Sequence, residues 1–126
     1  MKNILIVDDD DIMSEMLAQM MELENHNTTI ALNGNDAIKL LRESNYDLMI
    51  TDIVMPEKDG LETIIAVRQS HPDLPIIAIS GGGRIEPESY LFMAEQLGAK
   101  HIFTKPLDRI TFSKAVNQCL EEAELN

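Results

Sequence analysis

The chain has 126 residues, 10 Lys and Arg against 22 Asp and Glu, a formal charge of −12, and 44% hydrophobic residues with only 4% aromatic. That length suits one domain with one aliphatic and methionine-filled core, and the negative field disfavours direct binding to nucleic acid or to an anionic membrane surface. One cysteine, Cys119, excludes an internal disulfide and suits a reducing compartment. Ile4–Val7 reads as a first strand and runs into Asp8 after four apolar residues, too few for a signal-peptide core, so the cytoplasm is the expected location. A first helix carries Met13, Met16, Leu17 and Met20 at the spacing of one buried stripe, with Asp10 or Asp11 as its cap. Thr28–Leu32 is predicted as the second strand. Asn33 or Asn35 then caps a second helix bearing Ala37, Leu40 and Leu41. Leu48–Thr51 is the third strand, followed by a third helix with Leu61, Ile64 and Ile65 that ends at His71, before Pro72. Pro72 and Pro75 bracket the loop into the fourth strand, Ile76–Ser80. A fourth helix with Tyr90, Met93, Ala94 and Leu97 stops at Gly98. His101–Thr104 is the fifth strand, and Asp108 caps a last helix striped by Phe112, Val116, Cys119, Leu120 and Ala123. Five βα units in series predict an α/β doubly wound five-stranded parallel sheet with helices on both faces, one unit over residues 1–126.

In such sheets the functional crevice lies beyond the carboxyl ends of the strands. The residues there are Asp8-Asp9, Thr51-Asp52, Ser80-Gly81-Gly82-Gly83 and Lys105-Pro106. Three converging carboxylates repel one another by roughly 1 to 4 kcal/mol per pair, a cost that a divalent cation relieves. An all-oxygen ligand set, without thiolates or converging histidines, suits Mg²⁺ or Mn²⁺. Positive charge from the metal and from Lys105 around a carboxylate oxygen is what a transferring phosphoryl group needs. The triple glycine lacks both the GxGxxG spacing and the lysine of a nucleotide-binding loop.

Asp8-Asp9 after an apolar strand, Asp52 followed by Met55-Pro56 and Asp59-Gly60, Ser80-Gly81, and Lys105-Pro106 together closely resemble the receiver domain of two-component response regulators, the CheY-like family. The resemblance covers essentially the whole chain. It implies strand order 2-1-3-4-5 and a phosphoacceptor signalling switch, with Asp52 taking the phosphoryl group from the phosphohistidine of a histidine kinase or histidine phosphotransfer protein. It further implies that Asp9, Asp52 and the backbone carbonyl of Val54 ligate Mg²⁺, with Asp8 acting through water. Ser80 would hydrogen-bond one phosphoryl oxygen and Lys105 would pair with another. A cis peptide before Pro106 is also implied. Gly81, Ile102 and Pro106 fall in the switch region.

Three departures from the family pattern shape the expectations. Ile102 stands where relatives carry a Tyr or Phe ring that swings inward, so signalling here works without that ring. Gly81-Gly82-Gly83 gives the loop a large ordering entropy, so phosphorylation is expected to order it. Val54 and Gly82 cannot orient an attacking water, so the phosphoryl group is expected to be long-lived. Output would be a changed contact with a downstream protein effector through the face of the fourth helix, fifth strand and fifth helix. The protein is expected to be regulatory, not an enzyme of turnover, and to stand alone. Alternatives are a module of a larger regulator or phosphorelay, and a pseudo-receiver that is never phosphorylated. A haloacid-dehalogenase type of phosphatase also uses a strand-end Asp, but Val54 occupies the place of its second Asp.

Overall fold

Two Asx caps open the first two helices. The Asp10 carboxylate accepts from the N–H groups of Ile12 and Met13, and Asn33 accepts from Asp36, each satisfying a donor that has no partner in the first helical turn. The computed structural model describes residues 2–53, 60–80, 92, 94–105 and 107–125. Its elements are β1 (Asn3–Val7), α1 (Asp11–Leu23), β2 (Asn27–Ala31), α2 (Gly34–Glu43), β3 (Leu48–Asp52), α3 (Gly60–Ser70), β4 (Ile76–Ser80), β5 (His101–Thr104) and α5 (Arg109–Leu125). Between β4 and β5 lies α4, described at residue 92 and residues 94–96. Asp108 accepts a side-chain hydrogen bond from Thr111 at the start of α5.

All four strand pairings are parallel, in the order β2-β1-β3-β4-β5. The central strand β3 is buried along its whole length and β1 from Ile4 onward, as strands covered on both faces require. Alternate residues feed two layers. Leu5, Val7, Met49, Ile76 and Ala78 pack against Ala37 and Leu41 of α2, Ile64 and Val67 of α3, and Ala94 of α4. Ile4, Ile6, Leu48, Ile50, Ile77 and Ile79 pack against Met13, Leu17, Met20 and Met21 of α1 and Phe112, Val116, Cys119 and Leu120 of α5. Burial pushes the Cys119 thiol up to about 11, so it stays protonated and inert.

Several expected stripe residues lie outside these layers. Met16 is 41% and Ile65 44% exposed, and Ala123 is exposed, because the buried arcs centre on Met13, Leu17 and Met21, on Ile64 and Val67, and on Phe112, Val116 and Cys119. The third helix ends at Ser70, one residue before His71. The side chain of Leu61, and Tyr90 and Met93 altogether, lie outside the described residues. Gly98 closes α4 with φ of +99°, a conformation that L side chains resist. Its carbonyl accepts from Arg68, whose guanidinium also donates to the carbonyls of Pro72 and Leu74. A hollow of about 610 Å³ beside this arginine lies at the amino-terminal end of the sheet, and Asp8, Asp9 and Asp52 are not among the residues that line it. Among the described residues no helix is long and apolar enough to cross a membrane.

Candidate functional site

β1 and β3 are neighbours whose pairing ends at Val7 with Thr51, so the next residues, Asp8 just past β1 and Asp52 at the last position of β3, come side by side at the carboxyl edge of the sheet. β5 ends at Thr104, paired with Ser80 at the end of β4, and Lys105 follows directly. Parallel register thus brings four strand ends to one edge.

Asp8 is 1% and Asp52 6% exposed, whereas Asp9 faces solvent. Carboxylate oxygens of Asp8, Asp9 and Asp52 all lie within 4.8 Å of one another. Lys105 Nζ is 3.3 Å from Asp52 Oδ2 and 4.0 Å from Asp8 Oδ2. The Asp8 backbone is tied to β2 by its N–H donating to the Ala31 carbonyl, and its Oδ1 accepts from the Asp10 N–H at 2.9 Å. Burial is the main cause that pushes the Asp8 carboxyl up to about 6, and the negative charges of Asp52 and Asp9 add to it. The Asp10 N–H and Lys105 act in the opposite direction. A cluster of three carboxylates, two of them buried and one facing solvent, is a hard-oxygen donor set of the kind Mg²⁺ or Mn²⁺ takes. The residues present therefore fit such an ion.

Of the residues singled out in the sequence, Asp8, Asp9, Asp52 and Lys105 come together. Ser80 is placed by its backbone at the same edge, with its side chain outside the described residues. Val54, Gly81, Gly82, Gly83 and Pro106 also lie outside them, as do Met55, Pro56 and Asp59. Ile102 packs against the layer of α2, α3 and α4. Phe103 points to the other layer and meets Phe112 edge-on with ring centroids 5.1 Å apart, as strand alternation requires. Thr51 was not singled out for a role of its own. Its hydroxyl is fully buried and donates to the Asp52 carbonyl at 2.9 Å, and the signal for it was a lone hydroxyl in an otherwise apolar central strand.

Comparison with known proteins agrees with this geometry. Residues 4–117 match the family described as response regulator receiver domain. The chain is 35% identical over 108 residues to the transcriptional regulatory protein CpxR of Escherichia coli (strain K12), an alignment covering 86% of this chain and 44% of that protein. The chain thus spans less than half the length of this relative. It is 36% identical over 121 residues to an uncharacterized 14.6 kDa protein of Leptolyngbya boryana, covering 94% of this chain and 90% of that one. A response regulator receiver domain protein from Clostridium thermocellum superposes with a TM-score of 0.91 over 99% of this chain and 98% of that one at 21% identity, which shows the shared fold.

Proposed function

The chain belongs to the response regulator receiver domain family, and we propose that within it the chain is a phosphoacceptor switch that receives its phosphoryl group on Asp52. The observation that carries this reading is the pairing of a nearly buried Asp52 with Lys105 at 3.3 Å, beside two further carboxylates. One Asp52 oxygen attacks the phosphorus of a phosphohistidine. An O–P bond forms, the P–N bond breaks, and its electron pair leaves with the imidazole. Lys105 moves from pairing with the free carboxylate to holding a phosphoryl oxygen, so its charge is worth most as the transfer proceeds. Ser80 donates its hydroxyl to another phosphoryl oxygen. Asp9, Asp52 and the Val54 carbonyl would hold Mg²⁺, with Asp8 reaching it through water; when bound, the ion supplies positive charge against the oxygens of the transferring group. Asp8, with its carboxyl at about 6, is ionised at neutral pH and adds the negative charge that attracts the cation.

The donor in this reading is a histidine kinase or a histidine phosphotransfer protein in the cytoplasm. Phosphorylation biases the face of α4, β5 and α5 toward one arrangement and so changes its contact with a downstream protein. That step proceeds without an aromatic ring at Ile102. Regulation, not turnover of phosphate esters, is the output, and the unit extends over residues 1–126 whether it acts alone or within a longer regulator.

The test is intact mass after incubation with Mg²⁺ and acetyl phosphate, with Asp52→Asn as control. One phosphoryl group on the wild type alone supports the reading. No addition, together with no binding of beryllofluoride, overturns it in favour of a receiver that works unphosphorylated.

A further inference from the structure

We propose that Thr51 is a positioning residue for Asp52, an inference that rests on the phosphoacceptor reading above. Thr51 sits in the central strand with apolar neighbours on either side, Val7 of β1 and Ala78 of β4, and it is fully buried. Valine has the same shape, and a buried hydroxyl costs free energy unless it makes a hydrogen bond. Here the hydroxyl donates to the carbonyl of Asp52 at 2.9 Å. The N–H of the same peptide unit, that of Ile53, donates to the Ile79 carbonyl of β4 at 3.0 Å. Both polar ends of the Asp52–Ile53 peptide are therefore held where β3 runs out and register with β1 has ceased at Thr51. Holding that plane fixes the backbone torsion on which the Asp52 side chain is carried, and with it the 3.3 Å approach to Lys105. Small errors in placing a reacting group are costly in rate. Thr51 touches no reacting atom itself and acts through the peptide.

The experiment compares Thr51→Val, which keeps the shape and removes the hydroxyl, with Thr51→Ser, which keeps the hydroxyl. Acetyl phosphate labelling of Asp52 is followed by intact mass at saturating Mg²⁺, beside the melting temperature and the amide exchange rate of Ile53. The expected result is a melting temperature for Thr51→Val close to wild type and labelling about 3- to 10-fold slower, the worth of one neutral hydrogen bond. Ile53 exchange accelerates in that variant, and Thr51→Ser restores both rates. Wild-type labelling and exchange in Thr51→Val overturn the proposal. So does a Thr51→Ser variant as slow as Thr51→Val, since volume would then be the cause. If the wild type accepts no phosphoryl group, the phosphoacceptor reading fails by itself, and Ile53 exchange alone decides whether Thr51 holds the peptide.

Discussion

Lys105 donates from Nζ to Oδ2 of Asp52 across 3.3 Å, although 53 positions separate them in the chain. This cation is shared with Asp8 at 4.0 Å. Lys105→Met leaves two buried carboxylates without it. The expected outcome without metal at neutral pH is a loss of about 1–3 kcal/mol in stability by urea unfolding, with labelling by acetyl phosphate slowed at least about tenfold. Lys105→Arg keeps the charge and recovers most of the stability. Wild-type labelling by Lys105→Met would remove the lysine from the transfer.

The Asp8 carboxyl gives the fold a pH dependence of definite sign. Its value rises from 3.8 to about 6 on folding, mainly through burial. Between those values the native state holds the proton more tightly than the unfolded chain, so this group's contribution to stability falls as pH rises through the interval and levels off above about 6. The total is on the order of 3 kcal/mol. Denaturation midpoints of metal-free protein at pH 5 and 7.5 check it. Asp8→Asn should flatten this part of the slope, and an unchanged slope in the variant would assign the dependence to other groups.

Asp52→Asn removes one of three mutually repelling carboxylates. Without metal this variant is expected to melt above the wild type. Mg²⁺ raises the wild-type melting temperature by binding only the native state, with about 2.7 kcal/mol available at a hundredfold excess over the dissociation constant. The same addition moves Asp52→Asn far less. Calorimetric scans with and without Mg²⁺ settle both points, and identical melting for the two proteins under both conditions would refute a shared acidic metal site.

At the other end of the sheet, Gly98→Ala would place a Cβ 3.2 Å from Arg68 Nε at a φ of +99°. A cost of about 1–2 kcal/mol is expected from the backbone alone, read by urea unfolding. Phosphoryl labelling of Asp52 should stay at the wild-type rate, because the glycine lies at the opposite edge from the acids.

The layout of the site was legible because parallel strands end at one edge, so residues following an apolar run could be grouped without knowing any distance. Asp8, Asp9, Asp52 and Lys105 were found that way. The division of labour inside the group was not. Asp8 and Asp9 are adjacent and chemically identical, and only the turn into α1, where the Asp10 N–H binds Asp8, buries one and exposes the other. Helix periodicity marked the apolar residues but not the centre of each buried arc. Met16 and Ile65 therefore come out at the margins, where a twisted sheet no longer reaches. Thr51 showed in the sequence only as a lone hydroxyl, because its hydrogen bond runs to its own neighbour's carbonyl, a contact no spacing rule encodes.

The pairing of Val7 with Thr51 ties the address of the acidic pocket to the interior of the protein. Sliding β3 by one residue would turn Asp52 toward the aliphatic layer and bring Thr51 to the pocket, while every buried side chain of the strand changed sides. The pocket cannot drift without dismantling the core. Exposed helix surfaces carry no such tie, so descendants of this fold can exchange one binding partner for another by surface substitution while the chemistry stays at the same coordinates.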